Sequence, residues 1–155
     1  MKHHPIRNSI LAAIFLVSFA QNVHAAGTKS ETAGPDLSAI QAKIDAKDWP
    51  NAIADLKALA ETTQSADVFN LLGFSLRKSG DFPQALTYYT KALDLDPNYK
   101  GAHEYLGELY LETKDLAKAN EQLAILEGLC PDGCEERDDL KAMIAKFNNG
   151  EPVTN

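Results

Sequence analysis

The sequence predicts an all-α fold, a right-handed α-solenoid of about three helix-turn-helix repeats followed by a C-terminal capping helix. Three observations point there. Apolar residues recur three and four positions apart along most of the chain, the spacing of a single helix face. The pattern then repeats at an offset of 34 residues, where Phe69, Leu72, Gly73, Leu76, Ala85, Tyr89 and Pro97 meet His103, Leu106, Gly107, Tyr110, Ala119, Leu123 and Pro131. The breaks between these stretches are short and built from Gly, Asp and Pro, which suits antiparallel helix pairs.

Taken in order, the chain opens with Lys2 and Arg7, then an eleven-residue apolar run from Ile10 to Ala20, then Val23-His24-Ala25 ahead of a cleavage point before Ala26. Residues 1–25 therefore read as a secretory signal peptide. The run falls short of the ~20 apolar residues that span a bilayer, so no stable membrane anchor is expected after cleavage, and the product is expected to be periplasmic or secreted. Residues 26–35 (AGTKSETAGP) and 148–155 (NNGEPVTN) have almost no apolar content and are expected to form a disordered linker and tail.

A diverged repeat is expected at 36–65. Its first helix, about Leu37 to Ala46, keeps Leu37, Ile40 and Ile44, and Asp48-Trp49-Pro50-Asn51-Ala52 echoes Asp81-Phe82-Pro83-Gln84-Ala85. Full repeats follow at 66–99 and 100–133. Gly73 and Gly107 fall mid-helix, where Gly costs about 1 kcal/mol relative to Ala, and close approach of another helix is the simplest compensation. Ala85 and Ala119 are expected to face them. Ser79-Gly80-Asp81 stops one helix and caps the next, with Pro83 in its first turn, and Asp96-Pro97-Asn98 ends that helix. Leu140, Ile144 and Phe147 share one face of a capping helix at 134–147, making seven helices.

The order within each repeat is a bulky residue, Leu-Gly after a gap of two, Leu or Tyr, Ala, a large apolar residue four later, and Pro. Over residues 66–131 this resembles the tetratricopeptide repeat family, with departures at His103 and Leu123 where an aromatic residue is usual. The resemblance implies a non-catalytic protein-protein interaction module whose first helices line a concave groove for a peptide or protein segment. Carried over by position, it marks Asn70, Phe74, Arg77 and Lys78 in one repeat and Glu104, Glu108, Leu111 and Glu112 in the next. The groups with which such proteins clamp a terminal carboxylate are not reproduced, because Leu71, Gly101 and Tyr105 occupy the faces concerned. Spacing alone shows that Glu104, Glu108 and Glu112 form one acidic stripe, and like charges four apart on a helix are mildly destabilising. The stripe is either a solvated face or one wall of a two-toned groove, with Arg77 and Lys78 beside Phe74 on the other.

A net charge of −7 with no basic block argues against nucleic acid as a partner, since phosphate binding needs clustered Lys and Arg. No cofactor or metal is expected: once the leader is removed His103 is the sole histidine, which rules out a multi-histidine site within one chain. No Ser/His/Asp set or phosphate-cradling Gly loop is present either, so no enzyme is expected. Asp94-Leu95-Asp96-Pro97-Asn98 begins like a calcium loop, but Tyr99 stands where Gly is needed and Tyr105 where a bidentate Glu should close it, so it reads as the inter-repeat turn. The acids from Glu135 to Asp139 suit the first turn of a helix. Cys130-Pro131-Asp132-Gly133-Cys134 leaves three readings open: a disulfide stapling the capping helix, a thiol-disulfide or Cu(I)-handling accessory site, or free thiols. Self-association into a homo-oligomeric scaffold is a further alternative.

Overall fold

The computed structural model describes residues 35–153; the leader read at 1–25 and the linker as far as residue 34 lie outside the described residues. Seven helices and no strand occur among the described residues: α1 Ser38–Asp45, α2 Trp49–Thr62, α3 Ala66–Lys78, α4 Phe82–Leu95, α5 Lys100–Glu112, α6 Leu116–Leu129 and α7 Glu135–Asn148. They form the expected helical repeat solenoid, with α1–α2, α3–α4 and α5–α6 as hairpins and α7 closing the end.

One turn closes every first helix. Lys47, Gly80 and Lys114 all adopt positive φ, at 56°, 88° and 64°. Each is followed by an Asp whose amide reaches back to a carbonyl of the last helical turn: Asp48 to Lys43 at 2.9 Å, Asp81 to Leu76 at 2.9 Å and Asp115 to Tyr110 at 2.7 Å. This is the left-handed C-terminal cap, which satisfies otherwise orphaned helix carbonyls. The same aspartates start the second helices, Asp81 accepting from the Gln84 amide and Asp115 from the Lys118 amide, each at 3.2 Å. Only Gly80 advertises the turn in the sequence; the two lysines adopt it against their own preference because packing on both sides requires it.

The amphipathic stripes bury Ile40, Ile44, Leu56, Leu72, Leu76 and Tyr89 with Leu106 and Leu109 in one cluster. Leu111, Ala119, Leu126, Leu140, Met143 and Ile144 form a second. The mid-helix glycines do mark close approach, but by different residues from those expected. The ring of Tyr89 lies on Gly73, so that a Cβ there would meet Cδ1 and Cε1 at 2.7 Å, while the methyls of Leu140 lie on Gly107 at 2.5 and 2.7 Å. Ala85 and Ala119 are fully buried nearby and do not supply those nearest contacts. At Gly107 the place that the Tyr89 ring takes on Gly73 is filled by Leu140 from α7 rather than by Leu123, the repeat-equivalent of Tyr89.

Helix α7 thus behaves as one more first helix. It packs on α5, and it ends in the same cap, with Gly150 at φ 73° and the Glu151 amide bonded to the Lys146 carbonyl at 3.0 Å. Val153 then packs against the second cluster, so the chain past Asn148 is tied to the core at least that far.

The two glycines should respond differently to alanine. Gly73→Ala drives a methyl into a fully buried, rigid ring and is expected to lower stability by about 1–3 kcal/mol despite the better helix propensity. Gly107→Ala meets only the ends of a leucine and should cost less. Urea unfolding midpoints measure both, and a larger loss at Gly107 would contradict this packing.

Candidate functional site

The last turn of α3 directs Arg77 inward, towards α5. Its side chain is 0% exposed and forms ion pairs with Glu108 at 2.6 Å and Glu112 at 2.7 Å. The guanidinium also lies 5.6 Å from the Phe74 ring centre and 5.8 Å from that of Tyr105, within cation-π range. Burial opposes its charge, but the Tyr89 hydroxyl and the two carboxylates outweigh that and hold its pKa above the ordinary value. Burial lowers the neighbouring Lys78, and the Arg77 charge adds to that, while its ammonium sits 5.5 Å from the Phe74 ring centre.

These contacts rearrange the expected two-toned groove. Arg77 is not a surface cation on one wall, because it joins the walls. Glu108 is 2% exposed and, with Glu112, belongs to its pair. Leu111 is 1% exposed and packs into the second core cluster, so it faces away from the groove. Asn70 is also buried, while Phe74 and Lys78 remain partly open. Glu104, one turn before Glu108, stands apart from the pair. Its carboxyl is pushed up to about 8, first by burial and then by Glu108, Asp139 and Glu136.

What the first helices do present is a trough of two cavities that share Leu71 and Tyr105. One, of about 530 Å³, runs between α1 and α3 and is walled by Trp49, Phe74 and Tyr105 with Lys47 and Lys78 at its side. Trp49 meets Phe74 edge-on at 6.1 Å, and Phe74 meets Tyr105 at 5.0 Å, so the aromatics form a continuous wall. The other, of about 400 Å³, continues over α5 to the start of α7 and is walled by Asn70, Tyr99, Glu104, Glu135 and Glu136. Trp49, Tyr99, Glu135 and Glu136 were not among the residues the sequence marked for this face. A third cavity, of about 530 Å³, lies between α2 and α4, where Lys91 already covers the Tyr88 ring at 4.9 Å.

Other candidate chemistry resolves into packing. His103 has Nε2 bonded to the Pro97 carbonyl at 2.9 Å and Nδ1 to the Gln122 side chain at 2.8 Å, so both nitrogens pin α5 to its neighbours. The calcium-like loop is an Asx turn in which Asp96 accepts from the Asn98 amide at 3.0 Å. Cys130 and Cys134 have Cα atoms 6.0 Å apart and sulfurs within bonding distance. The turn between them is held by Arg137, which donates to the carbonyls of Cys130 and Pro131 at 3.2 Å.

Two consequences are measurable. Arg77→Met leaves two carboxylates buried without their partner, and the expected loss is about 3–5 kcal/mol; adding Glu108→Gln and Glu112→Gln should recover most of it in denaturant titrations. Glu104 holds a proton in the folded chain between about pH 4.5 and 8 that the unfolded chain has released, so it makes stability fall as pH rises through that window. Glu104→Gln should therefore raise the thermal midpoint by a few degrees at pH 8.5 and hardly change it at pH 5, and an equal change at both would refute the assignment.

The tetratricopeptide repeat family is matched at residues 66–99 by one of its models and at residues 88–121 by another. The chain is 38% identical over 65 residues to the uncharacterized protein ycf37 of Pyropia yezoensis, which covers 42% of this chain and 36% of that one. It is 34% identical over 67 residues to the uncharacterized protein ycf37 of Guillardia theta, covering 43% and 38%. The matched segment thus spans well under half the length of these relatives. Helix hairpins recurring at a 34-residue interval, closed by one recurrent turn and matched by two of the family's models, make residues 66–121 tetratricopeptide repeats.

Proposed function

We propose that this protein is a non-catalytic interaction module that binds a protein segment along the face of its first helices. The observation that carries the reading is the trough itself: two adjoining cavities walled by partly open aromatic side chains on a rigid scaffold. Aromatic anchors in preformed grooves supply much of the binding energy of peptide complexes, because they bury large areas with few rotatable bonds. Trp49, Phe74 and Tyr105 are already ordered by one another, so little entropy is lost when a segment covers them.

The leader pattern at residues 1–25 supports export, and the Cys130–Cys134 pairing is in keeping with an oxidising compartment. We read that pair as a staple, since it joins the end of α6 to the start of α7 and so holds the last wall of the trough in place.

A benzoylphenylalanine placed at Leu71 should crosslink a partner segment in cells, whereas the same group at Ile125, exposed on α6, should not. Trp49→Ala with Tyr105→Ala should then weaken binding of the captured segment by at least about tenfold while helicity by circular dichroism stays unchanged. Capture from Ile125 alone, or unaltered affinity in the double variant, would place the interaction elsewhere.

A further inference from the structure

The turn between Cys130 and Cys134 is shaped by bonds other than the one between the sulfurs. The Gly133 amide donates to the Cys130 carbonyl at 3.0 Å, with Gly133 at φ 110°, a conformation open to glycine. The Asp138 amide donates to the Cys134 carbonyl at 3.1 Å as α7 begins. Arg137 lies over the turn, since a Cβ at Gly133 would meet its Nη2 at 3.1 Å, and it donates to the Cys130 and Pro131 carbonyls. None of these contacts involves a sulfur, yet together they accompany a Cα separation of 6.0 Å, inside the range a disulfide needs. Helix α7 has its own anchorage as well. Leu140, Met143 and Ile144 hold it in the second core cluster, and a loop of so few residues restrains the unfolded chain less than a long one does.

Each sulfur also has at hand the partner that its reduced form requires. Cys130 Sγ lies 3.1 Å from the Leu126 carbonyl oxygen. A disulfide sulfur has no proton to give that oxygen, whereas a thiol has one. Cys134 is the N-cap residue of α7, with extended backbone and no side-chain hydrogen bond to the amides of the first turn. The same position in α4 and α6 belongs to Asp81 and Asp115, whose carboxylates accept from the third helical amide. A thiolate at Cys134 fills that role, and a helix N-terminus is where a thiolate is stabilised. Glu135, Glu136 and Asp138 oppose a further anion, but Asp138 is paired with Arg137 at 2.7 Å and Glu136 with Lys100 at 3.9 Å. An amide within hydrogen-bond reach outweighs carboxylates screened by water. Both cysteines are partly open to solvent and Pro131, Asp132 and Gly133 are exposed, so a reagent can reach the bond.

We propose that Cys130–Cys134 is a thiol-disulfide exchange site whose substrate is a dithiol. A thiolate of the dithiol attacks Cys130 Sγ and bonds to it as the Cys130–Cys134 bond breaks, and the electron pair leaves on Cys134 as a thiolate at the start of α7. The second thiol of the substrate gives its proton to solvent and attacks the first, displacing Cys130, which takes up a proton and donates it to the Leu126 carbonyl. A dithiol completes this step readily because the second attack is intramolecular. The substrate ends as its own disulfide, the protein as one thiol and one thiolate, and one proton is left in the solvent. The staple is thus one that opens and closes while the helices on either side stay folded, whatever the trough binds.

The oxidised full chain would be treated with glutathione, quenched at intervals with N-ethylmaleimide and mapped by peptide mass spectrometry. The expected intermediate carries glutathione on Cys130 and maleimide on Cys134. Dithiothreitol should reduce the native pair at least about tenfold faster than the pair in the urea-unfolded chain, because unfolding removes the helix N-terminus that stabilises the leaving thiolate. The reduced protein should keep its helicity by circular dichroism, and limiting iodoacetamide should modify its Cys134 before Cys130. A pair that reacts only once urea has unfolded the chain is a permanent staple, and the proposal falls. Glutathione on Cys134, equal rates in the native and unfolded chain, loss of helicity on reduction, or earlier alkylation of Cys130 also overturns it.

Discussion

The Arg77 guanidinium, buried between α3 and α5 and shared by Glu108 and Glu112, is the constraint around which the face of this protein is arranged. A charge withdrawn from water must be paired or it is prohibitively unfavourable. That requirement fixes how α5 sits on α3, because only one register brings both glutamates to the fork. It orders Phe74 and Tyr105 as well, since each ring offers a face to the guanidinium. Hydrophobic burial supplies most of the driving force for stacking the hairpins, but it is tolerant of small slips. A buried guanidinium that must meet two carboxylates at once is not.

The same pairing creates the asymmetry of the trough. Three glutamates leave α5 in one line, and a single arginine satisfies two of them. Glu104 lies a turn too far away, and α7 brings further acids up to it rather than a cation. A helical repeat protein could end in any polar helix, yet this one ends in a helix that occupies the place of another first helix. Leu140 fills the gap over Gly107, and the acidic first turn of α7 extends the trough. The closing element therefore shapes the trough while it seals the core.

How far the sequence revealed this follows from which features are periodic. All seven helices were legible, because a helix stripe recurs every three to four residues and the repeat recurs every 34, whereas of the turns inside the hairpins only the one at Gly80 was. The glycines were legible as sites of close approach but their partners were not: spacing within a hairpin suggested alanines, and size at Tyr89 and reach from α7 decided otherwise. The groove was legible only in outline. Position along α5 put Leu111 beside Glu108, whereas packing against α7 buries it in the core. Arg77 and the glutamates were read as opposite walls because side-chain charge is visible in a sequence and depth is not. Asn70 was marked, but its orientation depends on a proton that Tyr99, at the start of α5, gives to Asp67 of α3, a contact between repeats that no local pattern encodes.

A trough of about three repeats is short, and area alone would make it a weak binder. Two properties work against that. The rings of Trp49, Phe74 and Tyr105 pack on one another before any ligand arrives, so a segment would have little of that surface to order. The overall negative charge would also raise the encounter rate with a basic segment. Where long-range field and local site share a sign, salt weakens both arrival and retention, whereas the aromatic contacts are nearly indifferent to it. On the proposed reading, whatever affinity survives in high salt therefore belongs to Trp49, Phe74 and Tyr105.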